Sequence, residues 1–471
     1  MSKSQRLQAF CAMCCAAVLF FTSTAQAHGL KVGFADSLFA SEEAATRQLW
    51  LGHAKELGAG VERIDVHWAS IAPKQPGPDF DAADPADPGY NWTTLDDAVR
   101  EAAAAGFEVL LTIYDAPTWA EGADRPKRAE PGSWKPSPGA LGEFAHALAR
   151  RYDGSFPDPA ALGNALPTVS HFEAWNEPNL DFYLAPQWEG ESNPGPGLYR
   201  SLLNHFFAAV KSVQPRATVV GGSLAPFGDE PGGERTRPVL FLRTLLCLKG
   251  GKLAPVACPE PAHFDVLSDH PIAVGPPTQS ATSPLDVTTP DIGRLTKVLE
   301  KAEASKRALP PGKKPLWVTE FWYDTNPPDP NGISLAVQAR WYEQDLYLFW
   351  KQGARVAIAL QIRDAPEGKS YASTYQSGVY FLDGSPKPSA KAFRFPFVAH
   401  RTGPFKAAVW GIAPRAGKVK VQAFRSGGWK TLGSISAKGP GQPFTGEIQL
   451  YRFAKLRGLI GTEASLPWSQ R

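Results

Sequence analysis

Two short segments of this 471-residue sequence place a glutamate among aromatic residues. Residues 171–179 read HFEAWNEPN and contain Glu177, and residues 317–323 read WVTEFWY and contain Glu320. Cleaving a glycosidic bond requires an acid that protonates the leaving oxygen and a carboxylate that meets the positive charge developing at the anomeric carbon. Glu177 and Glu320 have the chemistry for these two roles if the fold brings them together.

The segments that must position the two glutamates alternate between short β-rich runs and longer runs of helical period. We predict eight strands, at residues 30–35, 61–68, 107–114, 169–175, 217–223, 264–270, 315–320 and 355–362. Helices are predicted between them, including 95–105 and 335–351. Repeated strand-then-helix units predict an α/β fold, a (β/α)8 TIM barrel. The alternative is an open doubly wound sheet, which normally shows a glycine-rich phosphate-binding turn that this sequence lacks.

The active residues of a TIM barrel lie at the carboxyl ends of its strands and in the loops that follow. Glu177 follows the fourth predicted strand and Glu320 ends the seventh. We therefore expect their side chains to open into one cleft. Attack by one carboxylate on the sugar requires the two carboxyl groups to lie about 5 to 5.5 Å apart.

The second predicted strand alternates polar and apolar residues. Arg63, Asp65 and His67 share one face, whereas Ile64 and Val66 share the other. The polar face should point into the barrel and the apolar face toward the helices. Charges inside a barrel need partners, so Asp65 and His67 either satisfy each other or serve the site.

The run 175–178 on the fourth strand, followed by Glu320 on the seventh, resembles glycoside hydrolase clan A. This clan comprises retaining barrel glycosidases such as cellulases, mannanases and β-xylosidases. The resemblance implies that Glu177 is the acid/base and Glu320 the nucleophile. It also implies that Asn176 hydrogen-bonds the sugar 2-hydroxyl and that Arg63 lies near the nucleophile. The cellulase-like and β-xylosidase-like groups are the most similar.

Two positions depart from the pattern of the clan. Ile272 follows the Asp269-His270-Pro271 run, where many members have an aromatic residue. The eighth predicted strand ends with the run Gln361-Ile362-Arg363-Asp364, where a tryptophan often forms the floor under the sugar. These departures leave the identity of the glycan, and the choice between endo and exo action, open.

Aromatic rings in the predicted loops are candidates for binding the apolar faces of sugars. About half of them are expected to be ordinary loop packing, and Trp322 and Tyr323 are the strongest candidates because they follow Glu320 directly. The substrate-binding set is completed by His270, which could instead satisfy a neighbouring backbone group. The loop aromatics are Tyr114, Trp119, Trp134, Tyr183, Trp188, Trp322 and Tyr323.

The N-terminus has the pattern of a signal peptide. Lys3 and Arg6 precede an apolar run at 7–21, and small residues at 25–27 favour cleavage after Ala27. The alternative is an uncleaved membrane anchor. Cleavage after Ala27 implies a secreted or periplasmic protein without further contact with the membrane.

Cleavage would leave two of the five cysteines, Cys247 and Cys258. An oxidising compartment favours a disulfide between them, with Cα atoms no more than about 7 Å apart. The alternative is a pair of unrelated buried thiols.

The sequence changes character near residue 399. The barrel is predicted to span residues 28–399, and 400–471 shows short alternating runs typical of a small all-β accessory domain. A structural role is favoured for this domain over carbohydrate binding.

Composition narrows the classes of function. The chain has 49 basic and 46 acidic residues and a formal charge of +3, so nothing favours nucleic acid as a partner. The 14 tryptophans favour a flat, ligand-binding surface. No cofactor is implied. A metal site from His263, Asp265, Asp269 and His270 is disfavoured because strand alternation separates these residues onto two faces.

The sequence therefore predicts a monomeric, secreted retaining glycosidase whose partner is a carbohydrate substrate, a β-linked glycan or glycoside. The alternatives are a non-hydrolytic carbohydrate-binding protein and a transglycosylase on the same barrel. Arg63 should hold Glu320 ionised, whereas Glu177, beside Trp175, should stay protonated to higher pH.

Overall fold

The fold is a closed barrel of eight parallel strands, described by a computed structural model for residues 28–469. Every barrel strand pairs with its neighbours in sequence, and the first pairs with the last. The predicted α/β TIM barrel is thereby confirmed. The barrel strands are β1 (Lys31–Ala35), β2 (Val61–His67), β3 (Glu108–Tyr114), β4 (His171–Ala174), β5 (Thr218–Leu224), β6 (Val266–Asp269), β7 (Leu316–Phe321) and β8 (Ala354–Leu360).

Helices connect the strands on the outside of the barrel. The last long helix begins after Ser334, whose hydroxyl accepts a hydrogen bond from the amide of Val337, and it ends just before Gly353. Gly353 has a φ of 95°, which glycine adopts without strain. The helices are α1 (Ala44–Glu56), α2 (Trp68–Ile71), α3 (Thr93–Ala104), α4 (Pro138–Arg151), α5 (Gly195–Val213), α6 (Pro238–Leu245), α7 (Gly293–Ala304), α8 (Leu335–Lys351) and α9 (Pro388–Arg394).

The interior of the barrel is filled by its own small core. Val61, Leu110, Val220, Val266 and Trp317 point inward from five strands and are buried. The larger core lies between the strands and the helices and continues into the C-terminal sheets. Because these side chains fill its interior, the barrel is not a pore. Ligands of such barrels bind at the carboxyl ends of the strands.

Two antiparallel sheets follow the barrel. One has the order β9, β10, β13, and the other the order β12, β11, β14, β15, with β16 paired to β14. The ring of Trp410 contacts Tyr347 and Trp350 of α8 at centroid distances of 5.6 and 6.0 Å. The division of the chain at residue 399 and the role of 400–471 remain predictions. The strands are β9 (Phe397–Gly403), β10 (Lys406–Gly411), β11 (Ala416–Arg425), β12 (Gly428–Lys438), β13 (Phe444–Gln449), β14 (Lys455–Ile460), β15 (Glu463–Ala464) and β16 (Trp468–Ser469).

The predicted disulfide is present. Cys247 and Cys258 are bonded, with their Cα atoms 5.8 Å apart. The bond closes a short hairpin that precedes β6, formed by Leu248–Lys249 and Ala254–Pro255. The predicted signal peptide at residues 1–27 lies outside the described residues. Within 28–469, no helix combines the length and the apolar character that crossing a membrane requires.

Candidate active site

Glu177 and Glu320 meet at the carboxyl end of the barrel. Glu177 lies three residues beyond β4, and Glu320 is the penultimate residue of β7. One carboxylate oxygen of each and a ring nitrogen of His270 lie within 4.8 Å of one another. The side chains of Glu177 and Glu320 are 14% and 12% exposed, so each carboxylate is largely enclosed but open to a ligand.

The backbone after β4 has an unusual conformation. Trp175 and Glu177 have φ values of 73° and 40°, in the left-handed region that residues with a side chain rarely adopt. Hydrogen bonds fix this turn: the indole of Trp175 donates to the carbonyl of Tyr183 at 2.8 Å, and the hydroxyl of Tyr199 donates to the carbonyl of Ala174 at 2.8 Å. Such strain persists only where the surroundings impose it, and here it sets the position of Glu177.

Arg63 joins the charged residues at the base of the site. The guanidinium donates to the Asn176 side-chain oxygen at 2.7 Å and to the Glu173 carboxylate at 3.2 Å. Its Nη1 lies 3.4 Å from both Glu320 Oε2 and Asp65 Oδ1. Glu173 is completely buried and forms a structural ion pair with Arg63. The geometry thus brings Arg63 and Asn176 together with Glu177 and Glu320.

Burial raises the pKa of Glu320 above its ordinary value. The cations His270 and Arg63 act in the opposite direction, and the negative charge of Glu177 adds to the rise. Arg63 therefore acts in the predicted direction, but the overall shift in the pKa of Glu320 is upward. The reason is that removal of the carboxylate from water outweighs the attraction of the neighbouring cations.

His270 lies beneath the two glutamates and is completely buried. Its Nδ1 is 3.0 Å from Glu177 Oε1, and its Nε2 is 3.0 Å from the hydroxyl oxygen of Ser223. Both ring nitrogens have protein partners, which favours the alternative that His270 satisfies neighbouring groups of the protein. His270 and Ser223 hold the carboxylate of Glu177 in place.

Glu177, His270 and Glu320 are close enough together to be considered as metal ligands. Several of the atoms that a cation would need already have protein partners: His270 Nδ1 is hydrogen-bonded to Glu177 Oε1, and Glu320 Oε2 faces the Arg63 guanidinium. A divalent ion would also lie close to the Arg63 charge. The arrangement fits a hydrogen-bonded acid pair better than a metal centre.

Aromatic rings line the rim of the site. Tyr114 packs edge-on against Tyr183 at 5.7 Å, and Trp322 packs edge-on against Tyr375 at 5.0 Å. Burial, together with the charges of Glu320 and Glu177, raises the pKa of Tyr375 to about 12. Tyr375 is a site residue that sequence reasoning missed, because it lies in the middle of the loop after β8 rather than beside a strand end.

Two predicted substrate-binding rings have other roles. Trp119 packs edge-on against Trp68, and its indole donates to the carbonyl of Pro73 at 2.8 Å, so its ring is part of the loop packing. Tyr323 lies next to Trp322 but is buried and packs against Trp341. Its side chain borders the site while serving mainly as core.

A buried lysine joins the loops that follow β7 and β8. Lys387 Nζ donates to the Asp364 carboxylate at 2.6 Å, to the Thr325 hydroxyl at 2.8 Å and to the Gln376 carbonyl at 3.0 Å. Gln361 donates to the carbonyl of Tyr375 at 2.9 Å. These contacts fix the loop segments that hold Trp322 and Tyr375.

A polar cluster extends from Arg63 away from Glu177. The Tyr114 hydroxyl lies 3.4 Å from both Asp65 Oδ2 and His67 Nε2. His67 Nδ1 lies 3.3 Å from the Asp115 carboxylate, and that hydrogen bond raises the pKa of His67. These partly exposed groups could bind sugar hydroxyls on the side of the site nearest Arg63.

Replacing Asp65 with asparagine should shift the acid limb of the pH profile for kcat/KM to lower pH. Glu320 must be ionised to act as a nucleophile, and the negative charge of Asp65 helps to raise the pKa of Glu320. Removing that charge lowers this pKa, so Glu320 stays ionised at a lower pH. Asp115→Asn is the matched control, since Asp115 contacts His67 instead of Arg63. A limb that stays in place, or moves upward, in Asp65→Asn contradicts the assignment.

No model of a known protein family and no curated protein matches this sequence. Solved structures do resemble the fold. A family 39 glycoside hydrolase from the gut symbiont Bacteroides cellulosilyticus WH2 is 16% identical, with a TM-score of 0.55 over 90% of this chain and 81% of that one. The GH5_18 protein of Streptomyces cattleya, solved in complex with GlcNAc, is 13% identical, with a TM-score of 0.50 over 78% of this chain and 79% of that one. At the level of the fold, the chain therefore shares its barrel with glycoside hydrolases, in agreement with the resemblance to clan A.

Proposed function

We propose that the chain is a retaining glycoside hydrolase that cleaves O-glycosidic bonds of a β-linked glycan or glycoside by double displacement. One observation is central to this proposal: carboxylate oxygens of Glu177 and Glu320 lie within 4.8 Å of each other at the carboxyl ends of β4 and β7. Retaining enzymes have closely spaced carboxyl groups, whereas inverting enzymes separate them to make room for a water molecule.

In the first step, Glu320 attacks the anomeric carbon as its bond to the leaving oxygen breaks. Glu177 donates a proton to that oxygen, so the leaving group departs as a neutral alcohol. The product is a covalent ester between the sugar and Glu320. The contact of His270 with Glu177 Oε1 leaves the other oxygen of Glu177 available for the proton.

In the second step, Glu177 acts as a base. It removes a proton from a water molecule, which attacks the anomeric carbon and releases Glu320 as a carboxylate. Two inversions restore the original configuration of the sugar. Asn176, which is held by Arg63 at 2.7 Å, is the proposed partner of the sugar hydroxyl next to the anomeric carbon.

Export of the enzyme is part of the proposal. The N-terminal segment has the pattern of a cleavable signal, and the disulfide between Cys247 and Cys258 fits an oxidising compartment. A secreted or periplasmic location follows from these two features.

The stereochemistry of hydrolysis tests the proposal. The purified mature chain is screened with 4-nitrophenyl β-glycosides of glucose, xylose, mannose, galactose and N-acetylglucosamine and with plant and bacterial polysaccharides. For an active substrate, proton NMR should show the β-anomer as the first product, before mutarotation. The α-anomer as first product indicates inversion, and sugar binding without bond cleavage supports the carbohydrate-binding alternative. Transfer to added sugars with little free sugar supports a transglycosylase.

A further inference from the structure

A cavity of about 520 Å³ opens beside Glu177. This volume is in the range of small-molecule binding sites. The apolar side chains on its walls are only partly buried, although large apolar groups are usually covered. They are Leu180, Phe227, Ile272, Val274, Trp322, Ile333 and Trp341.

The cavity lies on the leaving-group side of the site. Glu177, the proposed proton donor, is one of its lining residues, whereas Glu320, Arg63 and Asn176 are not. The proton donor must face the oxygen of the departing group. A molecule in this cavity therefore occupies the place of the leaving group, and the sugar that reacts with Glu320 lies on the side of Arg63.

The wall residues nearest to the reacting groups in sequence are apolar. Leu180 follows Glu177 by three residues, Ile272 follows His270 by two, and Trp322 follows Glu320 by two. Ile272 occupies one of the positions at which the sequence departs from the clan A pattern. Leu180 and Ile272 offer dispersion contacts and no hydrogen bonds, and the indole N–H of Trp322 is the one donor among the three side chains and is buried.

Three of the polar residues of the lining have partners within the protein. Arg235 forms an ion pair with Asp229 at 2.6 Å. Asp324 accepts a hydrogen bond from the amide of Gln376 at 2.7 Å, and Asp329 accepts one from the amide of Asn331 at 2.8 Å. A sugar in this cavity would need partners for several hydroxyl groups, whereas an apolar group would need none.

We propose that this cavity binds a hydrophobic leaving group, so that the preferred substrate is a glycoside of an alkyl or aryl alcohol rather than a sugar linked to another sugar. This inference rests on the proposed function, since it assigns Glu177 as the proton donor. It supplies the substrate class that the sequence leaves open. The Ile272 and Trp322 side chains would contact the first carbons of the leaving group.

Binding of an isolated aromatic alcohol tests the cavity without requiring turnover. 2-Naphthol is titrated into the mature chain by isothermal calorimetry, and the same titration is made with Ile272→Asp and Val274→Asp. Ile272→Asp should bind at least about tenfold more weakly, because a charge on the wall must be desolvated when the ring enters, and Val274→Asp should weaken binding to a smaller extent because that side chain is mostly exposed. Val274 is 88% exposed, so its replacement has little effect on folding.

The matched control is Leu162→Asp. Leu162 is 97% exposed and lies outside the cavity lining, so this variant should bind 2-naphthol as the unchanged chain does. Absence of binding at millimolar 2-naphthol, or equal binding by all three variants, overturns the proposal of an apolar leaving-group site.

Turnover supplies the second measurement. With the sugar identified in the stereochemistry experiment, methyl, butyl and octyl β-glycosides are compared with the corresponding disaccharide. kcat/KM should rise by about fourfold for each methylene of the alkyl leaving group that the cavity encloses. Ile272→Asp should reduce this rise. A disaccharide that exceeds the octyl glycoside in kcat/KM overturns the inference.

The two proposals fail in different ways. If 2-naphthol binds and Ile272→Asp weakens it, but no glycoside is cleaved, then the cavity stands as an apolar site and the proposed hydrolase function fails. If glycosides are cleaved with retention but 2-naphthol does not bind, the function stands and the inference about the leaving group is wrong.

Discussion

Replacing Glu320 with alanine should abolish turnover of every glycoside, whatever its leaving group. The carboxylate of Glu320 supplies the oxygen that bonds to the anomeric carbon in the proposed covalent ester. The methyl side chain of alanine cannot form that bond. We expect kcat to fall by about five orders of magnitude, as for removal of other enzymatic nucleophiles. The measurement is the hydrolysis rate of both activated and unactivated β-glycosides by the variant.

The covalent intermediate gives an independent check of this role. A 2-deoxy-2-fluoro glycoside with a good leaving group should accumulate on the unchanged enzyme, and peptide mass spectrometry should locate the sugar on Glu320. Glu191→Ala is a control for general loss of activity, because Glu191 is exposed and lies away from the barrel strands. A label on another carboxylate, or substantial activity of Glu320→Ala, rules out Glu320 as the nucleophile.

The barrel could be predicted because each strand and helix has a period that can be read locally. Val61 and Arg63 on β2 show the same regularity. They are two residues apart, so both point into the barrel, where Val61 joins the core and Arg63 joins the site. The disulfide was predictable for another reason. Cys247 and Cys258 are the two cysteines left after the proposed cleavage, and they lie 11 residues apart.

Contacts between distant segments could not be predicted in the same way. His270 was expected to bind substrate, but its partner Ser223 comes from the neighbouring strand and occupies the second ring nitrogen. The indole of Trp119 reaches Pro73 across 46 residues of chain. Neither hydrogen bond can be predicted from the local sequence, because serine residues and backbone carbonyls are common along the whole chain.

The balance between burial and charge at Glu320 could not be predicted from the sequence for a related reason. The sequence shows that Arg63 and Glu320 are charged, but it does not show how completely Glu320 is withdrawn from water. Burial raises the pKa of Glu320, and this effect exceeds the attraction of Arg63 and His270. The charge state of the site is therefore set by a group of coupled residues rather than by one ion pair.

Replacing Glu177 with alanine should affect substrates unequally. Glycosides with poor leaving groups need a proton from Glu177, and their kcat/KM should fall by about three orders of magnitude. Substrates that release 2,4-dinitrophenolate need no proton to depart, so they should still glycosylate Glu320. The intermediate then persists, because no base is left to activate water.

Azide separates the two roles of Glu177. It is a nucleophile that needs no base, so it should attack the glycosylated Glu320, restore turnover of the dinitrophenyl substrate and yield a β-glycosyl azide. Glu177→Gln is the matched variant because an amide can keep the hydrogen bond to His270, which is 3.0 Å long in this structure, while losing the acid function. If Glu177→Ala yields the β-glycosyl azide, and any azide product of Glu320→Ala is the α-glycosyl azide formed by a single displacement, the two carboxylates have the assigned roles. Equal losses on activated and unactivated substrates, with no azide product, mean that Glu177 is not the acid/base and that another group protonates the leaving oxygen.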